Sequence, residues 1–198
     1  MVKLLIFFSV FSVTMLVTNL CLGPAFLVQA GSEKTVLFIS SYSESFVSVP
    51  DQVAGIRSVF DEQQINLEIE YMDTKRLDTP ENKQVFYQSL KFKLAQLPTY
   101  DAVIVGDDNA LQFALDHQAE LFPQMPIVFL GVNDETARQA AADPYITGII
   151  ERISIKETLE IARVFNPRAT RVVAIADETL TGQGNRQQFE SFRRDFPN

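Results

Sequence analysis

Asp101-Ala-Val-Ile-Val-Gly-Asp-Asp-Asn-Ala110 is the stretch on which the fold turns. Ala102 to Val105 is a short, wholly apolar run, and such a run reads as a strand buried on both faces, typical of a parallel sheet. It breaks at Gly106 into Asp107, Asp108 and Asn109, and a helical pattern begins at once with Ala110, Leu111, Phe113 and Ala114. Polar groups at the carboxyl end of such a strand stand where open α/β sheets bind their ligands.

The same unit recurs on either side. Thr35–Ile39 is a buried strand ending in Ser40-Ser41-Tyr42-Ser43, and Pro50-Asp51 opens a helix whose inner face is Val53, Ile56, Val59 and Phe60. Asn66–Met72 alternates Leu67, Ile69 and Tyr71 with Glu68 and Glu70, so it is a half-exposed strand near a sheet edge. Thr79-Pro80-Glu81 caps a second helix with a core stripe of Val85, Phe86, Leu90, Leu94 and Leu97. The helix after Asn109 should run to about Ala119. Ile127–Leu130 is a further buried strand, ending at Gly131-Val132-Asn133-Asp134, and a short Ala-rich helix follows.

Ile146–Ile150 is a fifth extended piece. Ser154 and Glu157 have the spacing of a capping box for a helix through Phe165. Val172–Ile175 reads as a sixth strand with the tip Asp177-Glu-Thr-Leu-Thr-Gly182, and a last helix carries Phe189 and Phe192. Alternating strands and helices imply a parallel sheet.

The formal charge of −8 argues against a nucleic-acid surface, which needs clustered Lys and Arg. Lys3, the apolar stretch Leu4–Leu22 and Val28-Gln29-Ala30 ahead of Gly31 have the form of a secretory signal occupying residues 1–30. An uncleaved membrane anchor is the alternative, since about 20 apolar residues span a bilayer. Cys21 is the only cysteine and lies in that segment, so residues 31–198 hold no thiol, disulfide or Cys-based metal site. This acidic, cysteine-free remainder suits the periplasm or the extracytoplasmic face of a bacterial inner membrane.

No catalytic constellation emerges. His117 stands on a helix between Asp116 and Gln118, an exposed position, and no Walker lysine loop, Gly-x-Ser-x-Gly elbow or His-Glu-x-x-His pair exists. Of Asp107 and Asp108, one is expected to cap the helix and the other to look into the cleft, because neighbours on a strand-to-helix turn point different ways. Tyr42 and Phe46 either stack on a ligand or cover core. Asp73-Thr-Lys-Arg76 reads as a solvated loop with local ion pairs. No cofactor and no metal site are expected.

Six segments in order carry a resemblance: Val36–Tyr42, Tyr71–Lys75, Val105–Leu111, Phe122-Pro with Pro126–Asn133, Thr147–Glu151 and Asp177–Gly182. Together they resemble the ABC-transporter substrate-binding-like sensor domains of bacteria, which have the type I periplasmic-binding-protein fold. Such domains often form the extracytoplasmic N-terminal part of histidine kinases and diguanylate cyclases.

The resemblance implies an α/β fold: a parallel-sheet Rossmann-like lobe of a clamshell, with the second lobe incomplete. Residues 31–145 would be the first lobe, 146–151 the crossing and 152–198 the start of the second, as in a fragment of a longer sensor. A tryptophan common in relatives after the first strand is replaced here near Phe46 or Val47. The implied ligand-binding residues are Ser40, Ser41, Tyr42, Asp107, Asp108, Asn109, Gly131, Asn133, Glu151, Asp177 and Thr181. The implied partners are a small polar ligand such as an amino acid or related metabolite, the membrane through the N-terminal segment or downstream spans, and a second copy of the chain. A free solute-binding protein of an ABC importer is the alternative. Half a cleft should bind weakly, since pockets normally enclose most of a ligand.

Overall fold

The computed structural model describes residues 33–133, 137, 140 and 142–196. The N-terminal signal-like segment, Asp134 and most of the Ala-rich stretch lie outside the described residues. Among those described, no helix is long and apolar enough to cross a membrane.

Five parallel strands form one sheet in the order β2-β1-β3-β4-β5. They are β1 (Thr35–Ser40), β2 (Asn66–Tyr71), β3 (Ala102–Gly106), β4 (Ile127–Asn133) and β5 (Ile146–Glu151). The helices are α1 (Val49–Gln63), α2 (Pro80–Gln96), α3 (Asp107–Leu121), α4 (Ile155–Phe165) and α5 (Leu180–Ser191), the last followed by a 3-10 turn at Phe192–Arg194.

The central strands are the apolar runs. Leu37, Phe38, Ile39, Val103, Val105 and Ile127 are completely or almost completely buried, as strands with both faces covered must be. Leu111, Ala114 and Phe122 from α3 and the turn after it close the core. The alternating strand β2 takes the sheet edge, paired to β1 from Thr35↔Asn66 to Ser40↔Tyr71. Ser40 lies level with Gly106 across the β1–β3 ladder, so the two polar tips end side by side.

The helices bury less than their spacing suggests. Thr79 does cap α2, its side chain accepting from the Asn82 N–H at 3.2 Å. Phe86 and Leu90 face the core, but Val85 and Leu97 are exposed, as is Val59 on α1. A narrow sheet covers only a strip of each helix, so the rest of the apolar positions face water. His117 is not exposed as expected: its ring stacks on Tyr87, with centroids 4.4 Å apart, and lies against Phe113.

Three local expectations are corrected. β4 runs on through Gly131 and Asn133, which belong to the strand and not to a loop after it. The pairing of β4 with β5 shifts between Phe129 and Val132, where Gly131 takes a left-handed φ of 65° that glycine adopts without steric cost. Ser154 precedes α4 without making a side-chain cap; its ψ of 53° is outside the extended region from which a hydroxyl reaches back over the first turn.

Val172–Ile175 is not a strand. Its residues have no ladder partner and Ile175 is 95% exposed, because no second sheet exists among the described residues to receive it. The apolar residues Ile161, Val164 and Phe165 of α4 are likewise exposed.

Candidate functional site at the strand tips

Each polar tip is placed by the buried strand before it. Ser40 and Ser41 at the end of β1, and Asp107, Asp108 and Asn109 at the end of β3, are all buried, and Ser40, Ser41 and Asp108 are wholly so. Burying so many polar groups costs free energy unless partners are supplied. The partners are mostly internal.

Ser41 is a brace. Its hydroxyl donates to the Gly106 carbonyl at 2.7 Å and accepts from the Ala110 N–H at 2.8 Å. Its own carbonyl accepts from the Thr74 hydroxyl at 2.7 Å and the Thr74 N–H at 2.8 Å. Thr74 is thus fully buried and ties β2 to the site, contrary to the reading of residues 73–76 as a solvated loop. Arg76 does keep the local pairing, to Asp73. Neither Asp107 nor Asp108 caps α3; both lie in its first turn, and the Ser41 hydroxyl from another strand meets the Ala110 N–H instead. Carboxylates there suit the positive end of the helix dipole.

Above this brace sits a compact polar cluster. The Tyr42 hydroxyl is engaged by Asp107 and by Thr181 of α5. The Thr181 hydroxyl donates to Asp108 Oδ2 at 2.7 Å. Burial, with the negative charge of Asp107 next in weight, drives the Tyr42 phenol well above its ordinary value, so it stays neutral and serves as a donor. The ring of Tyr42 packs on Phe46 at 4.3 Å between centroids. Burial raises the Asp107 carboxyl to about 6 against the opposing effect of the Gln52 and Tyr42 side chains, and the negative charges of Asp108 and Glu151 push the same way as burial.

α5 reaches the cluster through its own N-terminus. Thr179 caps it, accepting from the Gly182 N–H at 3.1 Å, and Asp177 accepts from the Thr179 N–H at 3.2 Å. Gly182 is required by close approach: an added Cβ would lie 2.3 Å from the Asp177 carbonyl oxygen. Asp177 also pairs with Lys75, which holds its carboxyl below the usual range.

The structure therefore brings Ser40, Ser41, Tyr42, Asp107, Asp108, Asn109, Gly131 and Thr181 to one end of the sheet. Ser40 accepts from the Tyr42 N–H at 3.2 Å. Asn133 stands level with Glu151 in the β4–β5 ladder, and Glu151 is exposed at the rim. Asp177 is exposed and joined to Lys75, outside the buried cluster.

Gln52 was missed from the sequence. An added Cβ on Gly106 would lie 3.5 Å from its Oε1, and one on Gly131 3.6 Å from its Nε2, so its amide spans the tips of β3 and β4. The signal available was its place in the first turn of the helix after β1, the turn that faces the carboxyl ends of the strands.

The arrangement of buried hydroxyls, carboxyls and amides suits holding a small polar molecule. Among the described residues no three His, Cys, Asp or Glu side chains are grouped to hold a metal ion.

No family model matches the chain, and no curated protein matches it. Solved structures do. A response regulator receiver protein from Sinorhizobium medicae matches with a TM-score of 0.39 and 13% identity, over 70% of this chain and 98% of its own. The Lac repressor dimer, bound to operator and the anti-inducer ONPF, matches with a TM-score of 0.56 and 17% identity over 84% of this chain and 53% of its own. This chain thus spans about half the length of that one. At this distance the likeness concerns the fold: the chain is an α/β protein with an all-parallel, Rossmann-like lobe, similar in fold to the Lac repressor.

Proposed function

We propose that the chain is an extracytoplasmic small-molecule-binding sensor module, the N-terminal part of a membrane-bound signalling protein such as a histidine kinase or diguanylate cyclase. The observation that carries the binding role is the buried polar cluster at the carboxyl ends of β1, β3 and β4, where open parallel sheets take their ligands. The fold is similar to that of a repressor whose structure holds an anti-inducer, which supports small-molecule binding as the use of this sheet edge. The signal-like residues 1–30 and the six sensor-like segments support the extracytoplasmic, signalling side of the reading.

Ligand would act by favouring one arrangement of Thr181 and α5 against the strand tips over another, since a ligand shifts an equilibrium only through its differential affinity for the two states. The binding role is checked by thermal denaturation with a library of small metabolites. At least one member should raise Tm in a concentration-dependent way, and Tyr42→Phe, which keeps the ring and removes the hydroxyl, should shrink that rise. A library in which nothing moves Tm overturns the reading. In-frame membrane spans and kinase or cyclase motifs downstream of codon 198 separate the sensor from an importer's binding protein, for which permease and ATPase genes would lie alongside.

A further inference from the structure

Two buried acceptors at the strand tips have no donor. Asp107 Oδ2 and Gln52 Oε1 are shielded from solvent and make no hydrogen bond among the described residues. The two side chains meet at the tips of β3 and β4: an added Cβ on Gly131 would stand 3.7 Å from Asp107 Oδ2 and 3.6 Å from the Gln52 amide nitrogen, and one on Gly106 would stand 3.5 Å from Gln52 Oε1. Asp107 is 8% exposed and is held in a left-handed conformation, with φ 71°, that side-chain-bearing residues seldom adopt. Strain of that kind is kept where the surroundings dictate the direction of a side chain.

The charges that bear on Asp107 are those of Asp108 from its own helix and Glu151 from β5, both negative. Its other partners, Tyr42 from β1 and Gln52 from α1, are neutral, and Thr181 from α5 reaches it only through Tyr42. A carboxylate or phosphate ligand would meet repulsion here. A single hydroxyl could serve one acceptor and would leave the charge unmet. A protonated amine carries three donors, no acceptor and a positive charge, which matches two orphaned acceptors in a negative recess.

We propose that Asp107 and Gln52 receive a protonated amine of the ligand, Asp107 Oδ2 and Gln52 Oε1 each accepting one of its N–H bonds. This rests on the small-molecule-binding reading above and names the chemical class that the site takes. Binding then follows the ionisation of Asp107, whose carboxyl burial pushes up to about 6, while the neutral phenol of Tyr42 takes no part in the same range.

The test uses the whole chain, with the proteinogenic amino acids and simple primary amines as probes, the N-acetyl form of each, and neutral sugars as a comparison. Chemical-shift perturbation at millimolar concentration reads even weak binding. Amines should bind, N-acetylation should weaken them at least about tenfold, and affinity should fall about tenfold from pH 7.5 to pH 5. Asp107→Asn should weaken amine binding about tenfold and flatten its pH dependence, and Gln52→Leu should weaken it while leaving that dependence in place. Binding of sugars alone, or of amines and their N-acetyl forms equally, overturns the amine inference and leaves the binding role standing. Failure of every class of probe overturns both.

Discussion

Asp107→Asn should stabilise the unliganded protein at pH 8 by about 3 kcal/mol, the free energy equivalent of holding a carboxyl at about 6 instead of 3.8. The sign follows from which state holds the proton more tightly. The folded state does, so stability rises as pH falls from about 6 towards 3.8 and is lowest above about 6, where both states are ionised. Asparagine keeps the shape, carries no charge and adopts the left-handed conformation at this position more readily than most residues. Its amide also brings a donor to the recess in which Gln52 Oε1 has none.

Urea denaturation at pH 8 and at pH 4.5 would measure the effect. The variant's advantage should be full at the higher pH and reduced to about a third at the lower. A variant less stable than the parent at pH 8 would contradict the account of Asp107. With the expected loss of amine binding, the same substitution would trade function for stability, as groups kept for a ligand commonly do.

Ser41→Ala should cost about 2–3 kcal/mol. The hydroxyl it removes is wholly buried and makes two hydrogen bonds, to the Gly106 carbonyl and from the Ala110 N–H. Leaving a buried donor unmet costs its desolvation, about 1–3 kcal/mol, beyond the net value of the bond. The loss also loosens the start of α3, on whose first turn Asp107, Asp108 and Asn109 are carried. Ser45→Ala, at an exposed position in the same loop, is the control and should stay within about 0.5 kcal/mol of the parent. A Ser41→Ala protein as stable as that control would remove the brace from the account.

The parallel sheet was legible because β1, β3 and the start of β4 are unbroken apolar runs that end in polar residues, and because β2 alternates as an edge strand does. The site was legible only as a place. That Ser41 spends its hydroxyl on Gly106 and Ala110 follows from the register that sets Ser40 beside Gly106, a long-range relation that no local pattern encodes. Gln52 stayed hidden because a glutamine in the first turn of a helix looks like any solvated residue until Gly106 and Gly131 are set beside it. Val172–Ile175 misled for the opposite reason. Its composition is that of a strand, but a strand needs a neighbour to complete its ladder, and propensity carries no information about the neighbour.

That uncovered run has a consequence for the protein in solution. Val172-Val-Ala-Ile-Ala176 is β-prone, uncharged and free of proline, and Val173 and Ile175 are almost wholly open to solvent. Such a segment offers unpaired backbone to any other extended chain, including the same run in another molecule. Arg171 and Asp177 flank it as charged gatekeepers, and the acidic character of the whole chain keeps copies apart at low salt. Raising the ionic strength screens that repulsion without weakening the apolar pairing. Self-association through these five residues should therefore grow with ionic strength, which light scattering against salt concentration would read.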